Sequence, residues 1–132
     1  MRILIIDDEE IAVYSYIRYL TKIGYQVSFA CSLQEANQLL QKENFDAVIL
    51  DLRLPDGNAL EMIPQIRSLN NETVIIIVSG SSDNSLIEKA TQLGANRFLV
   101  KPVSMQKICA SIVEILNGVY EKNLTYRSNR SL

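Results

Sequence analysis

Short runs of apolar residues recur along the chain, and each ends abruptly at charged or polar residues. In the clearest example, residues 46–51 (Asp-Ala-Val-Ile-Leu-Asp), four apolar residues without alternation lead directly to Asp51. A run of this kind is typical of a strand covered on both faces, as in a parallel sheet with helices on each side. Three further runs end similarly: residues 3–6 at Asp7-Asp8-Glu9-Glu10, residues 74–78 at Ser79-Gly80, and residues 98–100 at Lys101-Pro102.

Segments with the apolar spacing of helices separate these runs. We predict helices over residues 11–20, 33–41, 58–69, 84–93 and 104–119, and a short strand over residues 25–30. Ser32 and Glu35 form a capping-box pattern before the second helix, and Pro64 is expected to kink or loosen the first turns of the third. Five strands alternating with five helices predict right-handed crossovers, and therefore a doubly wound α/β fold.

The length and composition indicate one soluble domain. At 132 residues, the chain is long enough for one two-sided α/β core and too short for two. A net charge of -2 with interspersed signs argues against nucleic acid binding through a basic surface. The apolar runs are shorter than a membrane span and no signal-peptide pattern precedes the first strand, so we expect a cytoplasmic protein.

The cysteine and histidine content narrows the possible chemistry. Cys31 and Cys109 lack metal-ligand spacing, and we expect free thiols rather than a disulfide. The sequence contains no histidine. This excludes histidine-based catalytic triads, histidine-ligated zinc and a phosphohistidine carried by this chain.

The polar residues that end the four runs are expected to share one crevice, because the carboxyl ends of parallel strands meet at one edge of the sheet. In this order and spacing, the motifs resemble the receiver domain of bacterial two-component response regulators. The resemblance covers residues 2–119. It implies a flavodoxin-like, three-layer fold with a five-stranded parallel sheet in the order 2-1-3-4-5, a receiver domain over residues 1–120, and a polar tail or linker start over residues 121–132.

The resemblance implies that Asp51 accepts a phosphoryl group in a reaction that needs Mg²⁺. Several carboxylates in one crevice repel each other, and a hard divalent cation with oxygen ligands offsets that repulsion. The implied ligands are Asp8, Asp51 and the backbone carbonyl of Arg53, with Asp7 contacting the ion through water. Attack by Asp51 on phosphorus would give an acyl phosphate.

The resemblance also implies phosphate-binding and switch residues. Lys101 would offset the charge on the phosphoryl oxygens, and Ser79, followed by Gly80, would move to hydrogen-bond the phosphoryl group. Phe98 would turn inward to fill the space that Ser79 leaves. This movement would alter the face formed by the fourth helix, the fifth strand and the fifth helix. Pro102 resembles the cis proline of the family, which orients Lys101.

Three features of the sequence depart from the family pattern. Phe98 lacks the hydroxyl group of the tyrosine that is often found there. Arg53 puts a long cation at the mouth of the crevice, within reach of the phosphoryl group or an entering water. Asn96-Arg97-Phe98 replaces the Asp-Asp-Tyr pattern of receivers that dimerise through their last helix faces, which argues against that particular dimer.

The expected function is signalling rather than catalysis on other substrates. The expected partners are a sensor histidine kinase or histidine phosphotransfer protein, and a downstream effector or an attached output domain. We expect no direct contact with nucleic acid or membrane, and a monomer or a phosphorylation-dependent dimer.

Two other classes share parts of the pattern. An enzyme of the haloacid dehalogenase type also uses a strand-end aspartate and Mg²⁺, but expects a second aspartate two residues later, where this chain has Arg53. A flavodoxin-like binder of a flavin phosphate expects a loop rich in glycine and hydroxyl groups after the first strand. This chain has four acids there, which would repel phosphate.

Overall fold

The computed structural model describes the backbone of residues 1–130 and the side chains of residues 1–118. Five strands of one sheet alternate with five helices. The strands are β1 (Arg2–Ile6), β2 (Gln26–Ala30), β3 (Ala47–Asp51), β4 (Val74–Ser79) and β5 (Arg97–Val100), and the helices are α1 (Glu10–Lys22), α2 (Leu33–Lys42), α3 (Met62–Leu69), α4 (Asn84–Leu93) and α5 (Met105–Arg130). A hairpin of Arg53–Leu54 with Gly57–Asn58, followed by a 3₁₀ turn at Ala59–Glu61, connects β3 to α3.

The five strands form a parallel sheet in the order β2-β1-β3-β4-β5, which confirms the predicted doubly wound topology. Every residue of β3 and of β4 is buried. Both faces of these central strands are therefore covered, which is why their apolar runs do not alternate with polar residues.

Two apolar layers hold the helices to the sheet. On one face, Leu4, Leu50 and Ile77 pack with side chains of α2, α3 and α4. On the opposite face, Ile49 and Ile76 pack with side chains of α1 and α5. Burial of one such large side chain contributes about 1.5–3 kcal/mol to folding, so these layers fix the sheet that carries the polar strand ends.

The start of α2 follows the capping pattern in the sequence. The hydroxyl of Ser32 accepts a hydrogen bond from the Glu35 N–H at 3.1 Å, and the Glu35 carboxylate accepts one from the Cys31 N–H at 2.8 Å. These contacts satisfy amide groups that have no partner within the helix. Cys31 and Cys109 are both free thiols, as predicted.

Two helices differ from their predicted bounds by more than two residues. The third segment begins as a 3₁₀ turn and becomes an α-helix at Met62, so Pro64 lies in the first α-helical turn, where a missing N–H removes no helical hydrogen bond. Helix α5 continues to Arg130, past its predicted end at residue 119. The assignment of residues 121–132 to a tail or linker stays a prediction, and residues 131–132 lie outside the described residues. No helix in the described part of the chain is both long and apolar enough to cross a membrane.

Candidate functional site

The carboxyl ends of the strands surround one open cleft of about 420 Å³. The strand register explains how the ends meet: Asp51 lies opposite Val78, and Ser79 lies opposite Val100. The residues that line the cleft are Asp8, Glu9, Asp51, Arg53, Gly80 and Lys101. The polar residues at the strand ends therefore come together as the sequence pattern suggested.

Asp51 is the last residue of β3 and is only 4% exposed. Its Oδ1 accepts a hydrogen bond from the Arg53 N–H at 2.8 Å, and its Oδ2 lies 2.7 Å from the Lys101 ammonium nitrogen. Each carboxylate oxygen thus has one donor. Because the donors come from two different segments, they hold the carboxylate in a single orientation at the cleft.

Lys101 follows β5 directly and forms the ion pair with Asp51. Burial lowers the pKa of Lys101, but the hydrogen bond and charge of Asp51, together with the charges of Asp7 and Tyr16, outweigh that effect, so the pKa lies above its ordinary value. The Lys101 N–H also donates to the Ser79 carbonyl at 2.7 Å, and the Lys101–Pro102 peptide bond is cis. The ammonium group therefore stays charged at neutral pH beside the carboxylate.

Asp7 is a second buried acid in the site, 2% exposed. Its backbone N–H bonds to the Ala30 carbonyl, and its carboxylate accepts a hydrogen bond from the Glu9 N–H at 2.9 Å. Burial raises the pKa of Asp7 from 3.8 to about 6; the bond from Glu9 opposes this rise, and the charge of Asp51 adds to it. The folded protein therefore disfavours the ionised form of Asp7.

The donor chemistry of the cleft fits a divalent cation. Asp8, Asp51 and Arg53 line the same space, and carboxylate and carbonyl oxygens are the ligands that Mg²⁺ prefers. Within residues 1–118, no three acid, cysteine or histidine side chains gather into a metal cluster. The expected ligand set requires only two carboxylates, because its third donor is the Arg53 carbonyl. Asp7 and Asp51 also put two buried carboxylates near one ammonium group, an excess of negative charge that a cation would offset.

The expected switch residues lie next to the cleft. Ser79 ends β4, is 6% exposed, and its hydroxyl accepts a hydrogen bond from the Ser81 N–H at 3.2 Å. Phe98 on β5 lies opposite Ile77 and packs, partly buried, against the core layer that contains α3 and α4. Gly80 faces the cleft, and a Cβ there would lie 3.9 Å from Nη2 of Arg53. The Arg53 guanidinium therefore lies near Gly80 at the cleft.

Residues 3–113 match the response regulator receiver domain family. This chain belongs to that family. The match covers the sheet from Ile3 onward and the four acids that follow β1, so the fold is that of a receiver domain in two-component signalling.

Curated relatives of this receiver domain are regulatory proteins of greater length. Over 134 aligned residues it is 28% identical to the transcriptional regulatory protein MalR of Bacillus subtilis, covering 100% of this chain and 55% of MalR. It is 36% identical over 107 residues to the alginate biosynthesis transcriptional regulatory protein AlgB of Pseudomonas aeruginosa, covering 81% of this chain and 24% of AlgB. The chain thus spans about half, or less, of the length of these relatives.

Solved receiver structures share the fold throughout. A CheY-like receiver domain protein from Methanospirillum hungatei is 26% identical, with a TM-score of 0.86 over 92% of this chain and 97% of the other. A response regulator from Burkholderia pseudomallei is 27% identical, with a TM-score of 0.82 over 94% of this chain and 74% of the other. The latter was solved with a phosphorylated aspartic acid, a calcium ion and citrate.

The residues expected in the site all lie in the receiver cleft or next to it. Five of them line the cleft, Asp7 and Ser79 are buried beside it, Pro102 follows Lys101 through a cis peptide bond, and Phe98 belongs to the adjacent core. Their individual roles in phosphoryl chemistry stay predictions.

Tyr16 is a residue near the site that the sequence reasoning missed. It is buried in α1 and lines a second depression together with Lys101 and Pro102. Burial raises the pKa of Tyr16, and the charge of Asp7 raises it further. The spacing of Val13, Tyr16 and Leu20 was a usable signal, because residues three and four apart share one helix face.

Asp56 is the second residue that was missed. Its carboxylate accepts hydrogen bonds from the Leu33 N–H and the Gln34 N–H, at the start of α2. Asp56 belongs to the sequence Pro-Asp-Gly, which predicts a turn. This motif does not indicate hydrogen-bond partners 22 or 23 residues away in the chain.

Proposed function

We propose that this receiver domain accepts a phosphoryl group on Asp51 from the phosphohistidine of a partner protein. The proposal rests on the burial of the Asp51 carboxylate and on the hydrogen bonds that orient it. The carboxylate is buried at the cleft, with Oδ1 bound to the Arg53 N–H and Oδ2 to the Lys101 ammonium. Such orientation of a nucleophile removes much of the entropic cost of an in-line attack.

In the proposed reaction, a carboxylate oxygen of Asp51 attacks phosphorus. The phosphorus–nitrogen bond of the phosphohistidine breaks, and its electron pair leaves with the donor imidazole. Lys101 is already 2.7 Å from Asp51 and offsets charge on the transferring oxygens. Mg²⁺ bound through Asp8, Asp51 and the Arg53 carbonyl, with Asp7 contacting it through water, would supply the remaining positive charge.

The proposed response to phosphorylation begins at Ser79. Its hydroxyl now accepts a hydrogen bond from the Ser81 N–H, and it would turn to donate to a phosphoryl oxygen. Phe98 would move into the vacated space, which would alter the surface formed by α4, β5 and α5. Gly80 follows Ser79 directly at the cleft, so the backbone there can approach the phosphoryl group closely.

The domain is proposed to act in the cytoplasm as a signalling element, catalysing only its own phosphorylation and dephosphorylation. Its upstream partner would be a sensor histidine kinase or a histidine phosphotransfer protein. Its output would pass to a separate effector or to an attached domain, as the greater length of the regulatory relatives suggests. The domain itself would bind neither nucleic acid nor membrane, and would be a monomer or a phosphorylation-dependent dimer.

The test is intact mass after incubation with Mg²⁺ and acetyl phosphate, for the native protein and for Asp51→Asn. We expect one base-labile phosphoryl adduct on the native protein, absent in the variant and absent with EDTA. Asp83→Asn, a change at an exposed helix cap, is the matched control and should retain the adduct. Failure of the native protein to form an adduct, despite measurable Mg²⁺ binding, would refute the proposal.

A further inference from the structure

Asp56 ties the turn after the phosphoacceptor strand to the start of helix α2. Its Oδ1 accepts a hydrogen bond from the Leu33 N–H at 2.8 Å, and its Oδ2 accepts one from the Gln34 N–H at 3.0 Å. Both oxygens of the Asp56 carboxylate thus accept hydrogen bonds from amide groups at the start of α2. The amides have no partner within the helix, and a negative charge at this end is favoured by the helix dipole.

The packing of the turn also holds the hairpin against the start of α2. The next residue, Gly57, has a φ of +153°, and a Cβ on it would lie only 2.8 Å from Cδ1 of Leu33. Glycine is therefore needed for both the conformation and the close approach. The hairpin turn sits directly against the first residue of α2.

The other end of the hairpin contacts the phosphoacceptor. Arg53 pairs with Asn58, and Leu54 pairs with Gly57, so the tied turn and Arg53 belong to one antiparallel unit. The Arg53 N–H donates to Oδ1 of Asp51 at 2.8 Å. A short, hydrogen-bonded path therefore runs from α2 through Asp56 and the hairpin to the Asp51 carboxylate.

We propose that Asp56 is a positioning residue for phosphotransfer to Asp51. By fixing the hairpin to α2, it holds the Arg53 N–H against the Asp51 carboxylate and holds the Arg53 carbonyl where a metal ligand is required. The inference rests on the proposed function, because it assigns Asp56 a part in the same site. Groups that orient metal ligands typically change metal affinity by about 10- to 100-fold when removed.

The test compares Asp56→Ala with Ser32→Ala. Both variants remove a cap from the start of α2, but only Asp56 connects that helix to the hairpin. In EDTA, we expect faster hydrogen exchange of the Arg53 amide in Asp56→Ala and an unchanged rate in Ser32→Ala. We also expect Mg²⁺ affinity to fall about tenfold in Asp56→Ala only. Saturation kinetics with acetyl phosphate should show a lower maximal rate in Asp56→Ala only.

Equal effects of the two variants on Arg53 exchange and Mg²⁺ affinity would overturn the proposal, since Asp56 would then be only a helix cap. If Asp56→Ala fails to fold, Asp56→Asn replaces it. The asparagine keeps one carbonyl acceptor, so a smaller change in the same direction is expected, and no change would overturn the inference.

The hydrogen-exchange measurement and the Mg²⁺ titration need no phosphodonor, so they test Asp56 independently of phosphorylation. A native protein that binds Mg²⁺ but takes no phosphoryl group would refute the proposed function while leaving these two readouts decisive for Asp56.

Discussion

Replacement of Asp7 by asparagine is expected to stabilise the metal-free protein at neutral pH. The pKa of Asp7 is raised from 3.8 to about 6, chiefly by burial, so the folded state holds this proton more tightly than the unfolded state does. The folded protein therefore loses stability as the pH rises from about 4 to about 6, and the loss is complete above the folded pKa. Asparagine removes the charge and keeps an oxygen that can accept the Glu9 N–H.

The expected magnitude follows from the two pKa values. At about 1.4 kcal/mol per pKa unit, the change from 3.8 to about 6 corresponds to about 3 kcal/mol of unfolding free energy. We expect Asp7→Asn to be about 2–3 kcal/mol more stable than the native protein at pH 8 in EDTA. Near pH 4, where Asp7 is largely protonated in the folded state, the gain should fall below about 1 kcal/mol.

The assay is urea unfolding in EDTA at pH 4, 6 and 8, followed by far-ultraviolet circular dichroism. Asp83→Asn is the matched control, because Asp83 is exposed and its pKa is lowered by the hydrogen bonds from Ser85. That substitution should change stability in the opposite direction at pH 8. A gain for Asp7→Asn that does not depend on pH, or a loss at pH 8, would refute the argument that the buried charge of Asp7 is costly.

Three further substitutions test other parts of the structure. Lys101→Ala should still bind Mg²⁺ in a calorimetric titration. It should accept a phosphoryl group from acetyl phosphate at least about tenfold more slowly, because the Asp51 carboxylate loses its ammonium partner. An unchanged rate of phosphorylation would contradict the role of Lys101 in phosphoryl transfer. Ser79→Ala should be phosphorylated, yet amide exchange in α4 and β5 should no longer respond to phosphorylation. Ile76→Ala, at a fully buried position of β4, should lower the unfolding free energy by about 2–5 kcal/mol in urea titrations, and a cost under about 1 kcal/mol would argue against tight packing there.

The buried strands and their parallel pairing could be predicted because their signals are local in the sequence, whereas the strand order came from the resemblance to the receiver family. Four consecutive apolar residues, 47–50, identify β3, and the alternation of strands with helices requires parallel pairing. The start of α3 was less predictable, since Asn58 and the residues after it suit both a 3₁₀ turn and an α-helix. The Asn58 side chain accepts the Leu60 N–H, which closes a tight turn before α3 begins.

The contacts between distant loops could not be read from the sequence. Asp56 finds its partners only because α2 and the β3–α3 hairpin meet in three dimensions, and no periodicity encodes that meeting. Arg67 is a similar case: its guanidinium donates to the carbonyls of Gly94 and Thr73 and to the side chain of Asn96. These bonds join α3 to the segments beside β4 and β5, yet Arg67 alone looks like a solvated helix residue.

The buried position of Asp7, in contrast to the exposed Asp8, connects the stability of the protein with its expected Mg²⁺ affinity. The Asp7 N–H donates to the Ala30 carbonyl just beyond β1 and the Asp7 side chain is buried, whereas Asp8 lies exposed at the cleft edge. Among residues 1–118, Lys101 forms an ion pair with Asp51 and none with Asp7, and Asp7 therefore holds a charge that burial makes costly. The same charge would be offset by a bound divalent cation. Asp7→Asn should thus gain stability in EDTA but lose Mg²⁺ affinity, so that saturating Mg²⁺ narrows its stability advantage over the native protein. If Asp7→Asn is more stable yet binds Mg²⁺ as tightly as the native protein, the stability gain and the Mg²⁺ affinity do not both depend on the Asp7 carboxylate. That result would refute their common origin.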